Sequence, residues 1–145
     1  MTNRVAVITG ATKGIGHGIA KRLIAAGVDV TAIYRHDGEA ADRFRKEAKA
    51  MRWQGYGRII NIGASFKDYM KGTPGLGAFG VHKGALAIFT KTLALEEIAN
   101  GITVNMVAPG STRNAGAFPE EMRLPIGSIP LSRRVEIDEI AEAVM

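Results

Sequence analysis

Short apolar runs alternate with amphipathic stretches along the whole chain. The run "RVAVITG" is β-branched and ends in glycine, which predicts a buried strand. Behind it Ile15, Ile19, Leu23 and Ala26 recur at helical spacing, and Gly27 sits where a helix C-cap is expected. "VDVTAIY" then predicts a second strand. Strand, glycine turn, helix and strand in such close succession make the βαβ unit of a parallel sheet.

From Glu39 the pattern predicts a helix with Ala40, Phe44, Ala48 and Met51 on one side, broken by "QGYG". "RIINIGAS" reads as a third strand, and its nearly continuous apolar character predicts cover on both faces. The glycine-rich "KGTPGLG" leads to a long helix from about Ala78 to Ala99. Its apolar surface comes from Val81, Ala85, Leu86, Phe89, Leu93 and Ile98, and Asn100-Gly101 closes it. "ITVNMVAP" predicts the fourth strand. The segment 110–134, with three prolines, reads as an irregular loop or lid, and "EIDEIAEAVM" as a closing helix. The class is α/β, and no internal repeat interrupts it.

Composition narrows this further. At 145 residues and 46% hydrophobic content, one domain with one core is expected. The net charge of +5 is spread among acids, except in short runs such as Arg43 to Lys49, so a phosphate-bearing small molecule fits as well as a nucleic acid. Aromatic and basic residues are not interleaved as a nucleic-acid surface requires. With no cysteine there is no disulfide framework, and His17, His36 and His82 are too dispersed to suggest a metal site. Gly10 follows only a handful of apolar residues, too few for a signal-peptide core, and no run is long enough for a membrane span. A soluble cytoplasmic protein is the expectation.

"TGATKGIG" sets Gly10, Gly14 and Gly16 between a strand and a helix, with Thr12, Lys13 and Ile15 among them. Glycines there permit a tight turn and let the backbone approach a pyrophosphate, while the helix amino terminus favours an anion. The spacing is GxxxGxG rather than GxGxxG, and in this context it predicts dinucleotide binding; the alternative is turn glycines without a ligand. The second strand ends at Tyr34-Arg35-His36, where an acidic residue would bond a ribose hydroxyl and a cation would accept a 2′-phosphate. Lys13 and Arg35 therefore favour NADP over NAD, unless Arg35 is a solvated surface charge.

The stretches "VAVITGATKGIGHGIAKRL", "GRIINIGAS", "FGVHKGALAIFTKTLALE" and "GITVNMVAPGST" together resemble the short-chain dehydrogenase/reductase family, specifically its NADP-dependent 3-oxoacyl-carrier-protein reductase-like members. The resemblance implies a Rossmann-like parallel sheet with helices on both faces, residues 1–145 forming a single dinucleotide-binding domain, and hydride transfer between NADPH and a small carbonyl or alcohol. It also implies a homo-oligomer, because the helix at 78–99 resembles the one through which family members associate. In the family a Tyr-x-x-x-Lys pair on that helix works with an upstream serine. Lys83 matches the lysine and Ser65 is the serine candidate, but the tyrosine position is Phe79. Pro109, Gly110 and Thr112 match the turn that borders the nicotinamide, and the segment Arg113–Arg134 matches the substrate-specificity region.

Phenylalanine has no proton to give, so a general-acid contribution of about 10²- to 10⁴-fold should be lost. His82 sits about 300° round the helix from position 79, against roughly 40° for Lys83, and is a poor substitute; Tyr69 lies in the loop before the helix, and spacing alone leaves it a candidate. The chain also runs from "KEAKA" directly into "MRWQGYG", where the family carries two further strand-helix units, and it stops before the family's last strand. The expectation is either a re-closed sheet of about four strands or a part of a longer chain. Two functions stay open: a carbonyl reductase with unusual proton donation, or a non-catalytic dinucleotide-binding scaffold or interaction protein.

Overall fold

A computed structural model describes residues 5–9, 11, 14–33, 49–65, 72, 74–113, 123 and 125–145. The first apolar runs become β1 (Val5–Thr9) and β2 (Asp29–Ile33), joined through α1 (Gly14–Ala25). The two strands pair in parallel from Val5↔Asp29 to Thr9↔Ile33. Helix α1 ends where its sequence predicts. Gly27 has φ 74°, its N–H bonds the Ile24 carbonyl at 3.0 Å, and the Val28 N–H reaches the Leu23 carbonyl at 3.0 Å. That is the reciprocal pattern of a Schellman cap, which satisfies carbonyls that a helix end leaves open.

Packing divides the chain into two compact units, Met1–Glu47 with Gly110–Met145, and Ala48–Pro109. In the first unit α1 lies against a short helix, α4 (Ile137–Glu142). Ile19 and Ala20 of α1 and Ile140 and Ala141 of α4 are buried. A side chain at Gly18 would overlap the Ile137 Cγ2 methyl, so the two helices owe their close approach to that glycine. Helix α4 starts with a reciprocal cap in which the Glu136 N–H donates to Glu139 Oε2 at 2.8 Å. Arg133 also grips the Glu139 carboxylate through two bonds of 2.7 Å. These contacts hold the Glu139 carboxyl down at about 2, the Arg133 bonds contributing most and the backbone bond next.

The second unit is built from α2 (49–54), β3 (Gly57–Ile62), α3 (Gly77–Glu97) and β4 (Ile102–Val107), with a single 3₁₀ turn, Ile98–Asn100, prolonging α3. Strands β3 and β4 pair in parallel from Gly57↔Ile102 to Ile62↔Val107, and α3 packs on β4, where Ile102 and Val104 are buried. Asn61 Nδ2 donates to Thr90 Oγ1 at 2.9 Å, and that buried hydroxyl donates on to the Leu86 carbonyl at 2.7 Å. Near the far end of α3 the buried Glu97 carboxylate accepts Arg52 Nε at 2.9 and 3.1 Å, a further Arg52 Nη2 bond, and Asn100 Nδ2 at 3.0 Å. The Arg52 bonds, then the Asn100 bond, hold the Glu97 carboxyl below the usual carboxylate range.

The described strands pair two by two, β1 with β2 and β3 with β4. Each pair is closed by its own helical crossover, α1 or α3. Two expectations change. Strand β3 is not covered as fully as its sequence predicts, since Ile59, Ile60 and Ile62 are only half-buried. Of the apolar positions assigned to α3, Leu86 and Leu93 are half-buried, whereas Val81, Phe89 and Ile98 are exposed. The predicted helix from Glu39 lies outside the described residues as far as Ala48, and its end is α2. Among the described residues no helix is long and apolar enough to cross a membrane.

Candidate active site

The glycine turn belongs to the first unit. Ala11 is buried just before it, and Gly14, the first residue of α1, has φ 56°, a left-handed conformation that only glycine adopts without strain. No acidic residue occupies the first turn of α1, and the N–H groups there have no partner within the helix. Gly14, Ile15 and Gly16 are half-buried. His17 is tied back by its Nδ1, 3.3 Å from the Ala11 carbonyl. A positive helix end with small residues and no carboxylate fits a pyrophosphate. Gly10, Thr12, Lys13 and Arg35 lie outside the described residues.

In the same unit Gly110 leads into Thr112, which is buried and whose Oγ1 hydroxyl donates to the Gly110 carbonyl at 3.1 Å. An isolated parallel bridge ties Thr112 to Val135, with the Arg113 N–H on the Val135 carbonyl and the Val135 N–H on the Ser111 carbonyl, both at 2.9 Å. Gly110 itself is exposed.

Phe79, Lys83, Ser65 and Pro109 belong to the second unit. Phe79 stands in the first turn of α3, and Lys83 follows one turn later on the same side. The Lys83 ammonium donates to the Ile62 carbonyl, the last residue of β3, at 2.7 Å. It also lies 5.8 Å from the centre of the Phe79 ring, within range of a cation–π attraction. Burial alone pushes the Lys83 amine below the ordinary lysine range, since desolvation disfavours the charged form. Ser65 is half-buried in the stretch that leaves β3, and Pro109 is half-buried beyond β4. The ends of the two strands are tied by the Gly63 N–H on the Val107 carbonyl at 2.8 Å.

The structure thus brings Phe79 and Lys83 together against the end of β3. The Ile62 carbonyl was missed in the sequence, because a backbone acceptor at a strand end carries no side-chain signal. His82 is exposed on the next helical position, and Tyr69 lies outside the described residues. No group of metal-ligating side chains occurs among the described residues.

Two family models cover the chain: short chain dehydrogenase over residues 4–52, and Enoyl-(Acyl carrier protein) reductase over residues 43–145. The chain belongs to the short-chain dehydrogenase family, whose cofactors are nicotinamide dinucleotides. It is 40% identical over 99 residues to acetoacetyl-CoA reductase of Shinella zoogloeoides, a match to 66% of this chain and 40% of that protein. It is 36% identical over 121 residues to 3alpha-hydroxysteroid dehydrogenase of Mediterraneibacter gnavus, covering 81% of this chain and 45% of that one. The chain therefore spans less than half the length of these curated relatives. Among solved structures, acetoin dehydrogenase of Enterobacter cloacae shares the fold with a TM-score of 0.72 at 21% identity, over 99% of this chain and 87% of that one. A Thermus thermophilus protein does so with a TM-score of 0.81 at 20% identity, over 99% and 90%.

Proposed function

We propose that this chain is an NADPH-dependent oxidoreductase that reduces a small carbonyl compound, or oxidises the corresponding alcohol, with Phe79 in the place of the proton-donating tyrosine. The observation that carries the reading is Lys83, an amine held on the Ile62 carbonyl and against the Phe79 ring, with donor capacity to spare for ribose hydroxyls. Gly10, Thr12, Gly14, Ile15 and Gly16 would take the pyrophosphate, and Lys13 and Arg35 the 2′-phosphate. Pro109, Gly110 and Thr112 would border the nicotinamide. The cofactor supplies the hydride when bound. Ser65 would polarise the substrate oxygen, and the proton would come from water, since position 79 has no hydroxyl. Residues 1–145 would act as one dinucleotide-binding domain in the cytoplasm.

Self-association is part of the same reading. Val81, Ile88 and Leu95 form an apolar stripe at seven-residue intervals along α3, and they are 74%, 70% and 81% exposed. A homo-oligomer in which copies meet through this face would cover it. The second reading, a non-catalytic scaffold, is favoured by Phe79 itself and retains both the cofactor site and this interface. Titration with NADPH and NADH, followed by reduced-nicotinamide fluorescence, tests the cofactor assignment. Tighter binding of NADPH is expected, and a folded protein that binds neither refutes the oxidoreductase reading and leaves the interaction protein as the one to pursue.

A further inference from the structure

Apolar packing sets α3 against β4, where Ile102 and Val104 are buried, and hydrogen bonds carry it across to β3. These bonds leave the helix from a polar seam. Lys83, Thr90 and Glu97 follow one another at seven-residue intervals, and a straight helix drifts by about 20° over such a step, so the three lie along one side. Each meets a polar partner: Lys83 the Ile62 carbonyl at 2.7 Å, Thr90 the Asn61 amide at 2.9 Å, and Glu97 the Arg52 guanidinium. Thr90 and Glu97 are buried, whereas Val81, Ile88 and Leu95 are exposed. Along this line α3 turns polar groups inward where an ordinary amphipathic helix turns apolar ones.

We propose that Asn61 and Thr90 are positioning residues for Lys83: their hydrogen bond fixes the register of α3 along β3 and so delivers the ammonium to the Ile62 carbonyl. The placement stands on these contacts, and its purpose in holding a cofactor rests on the function proposed above. Asn61 precedes Ile62 on β3, and Thr90 lies about two turns beyond Lys83 on α3, so both contacts join the same two elements.

Contact with β4 through apolar side chains is non-directional and tolerates small slides and rotations. The Asn61–Thr90 pair does not. The Thr90 hydroxyl spends its proton on the Leu86 carbonyl at 2.7 Å, which leaves it able only to accept, and Asn61 Nδ2 supplies the donor. A slip of one residue would carry Thr90 about 1.5 Å along the axis and about 100° round it, leaving a buried hydroxyl and a half-buried amide without each other. Buried asparagines select one register in coiled coils in the same way. Lys83 cannot do this for itself, because its flexible four-carbon stem lets the ammonium follow a carbonyl through several positions. Arg52 ties the far end of α3 to α2 rather than to β3.

The test reads the Ile62 carbonyl and the cofactor separately. Lys83→Met removes the donor and calibrates how the carbon-13 resonance of the Ile62 carbonyl moves when its bond is lost. Thr90→Val keeps the shape and deletes the hydroxyl; it should move that resonance in the same direction and weaken NADPH binding about tenfold or more, the worth of one hydrogen bond to a charged group. Asn61→Ala removes the same bond from the β3 side and should do likewise, so the result does not depend on one variant folding. Thr90→Ser gives up a methyl and keeps the hydroxyl, so it should lower Tm while leaving the resonance and the NADPH affinity as they were. A merely structural Thr90 would instead make affinity follow Tm through the series. That outcome, or an unmoved Ile62 resonance in both Thr90→Val and Asn61→Ala, overturns the proposal. The resonance is read without cofactor, so an unaltered protein that binds no NADPH would refute the cofactor reading, and the resonance would still decide the placement.

Discussion

Gly101→Ala is the most demanding test of how the second unit is put together. Gly101 has φ 71°, and a Cβ there would overlap the Gly55 carbonyl oxygen, in a turn whose own glycine has φ 64°. Two glycine turns are thus stacked where β3 and β4 begin, at the Gly57↔Ile102 end of the register. The left-handed backbone costs a residue with a side chain about 1–2 kcal/mol. Because the obstacle is backbone, with no side chain to swing away, overpacking adds about 1–3 kcal/mol. A loss of about 2–5 kcal/mol follows, or a fall in Tm of roughly 6–15 °C for a chain of this size. Trp53 is 88% exposed and a poor reporter, so far-UV circular dichroism in urea and on heating is the assay. Gly27→Ala is the control: its φ is 74° but nothing lies within 4 Å of the new methyl, so only the backbone cost of about 1–2 kcal/mol applies. Equal losses in the two variants would refute the clash and leave the stacked turns without energetic content.

Phe79→Tyr should raise NADPH-dependent carbonyl reduction by about 10²-fold or more; bound cofactor with no gain in turnover would sink the claim that the hydroxyl is the missing piece. Glu97 has a folded-state pKa below its unfolded value, so its stabilisation is complete above the ordinary carboxylate pKa of about 4.3 and is lost as pH falls through the folded value. Glu97→Gln should therefore destabilise most near neutral pH and least at the acid end of the series, as read from urea midpoints across pH; a pH-independent loss contradicts this sign. Lys13→Ala with Arg35→Ala should weaken NADPH at least about tenfold more than NADH, in keeping with two charged contacts to one phosphate; matched losses would refute the 2′-phosphate assignment. Ile88→Asp, at the centre of the exposed stripe on α3, should shift the protein to a smaller species in sedimentation, and an unchanged mass would remove that helix from any interface.

What was legible in the sequence was local. The four strands, the Gly27 cap, the span of α3 and its Asn100-Gly101 end all follow from periodicity and turn chemistry, and they lie within a few residues of where they were expected. Phe79 and Lys83 on one face of a helix was likewise a matter of spacing. The closure of the sheet was not legible, because strand partners are chosen by long-range hydrogen bonding that leaves no periodic trace. The exposed Val81, Ile88 and Leu95 show the same limit, since a helix stripe reads alike whether its cover comes from within the chain or from a second copy. The Arg52–Glu97 and Asn61–Thr90 bonds join residues far apart in sequence, and no spacing rule links the two members of either pair.

The division into two units bears on the order in which the chain can fold during synthesis. Ala48–Pro109 is continuous, so β3, α3 and β4 can meet as soon as that stretch has left the ribosome. The other unit joins Met1–Glu47 to Gly110–Met145, and α1 must wait with Ile19 and Ala20 uncovered until α4 has been made. The glycine turn is thus made before the second unit but buttressed after it, because Ile137 can reach Gly18 only once α4 has been made.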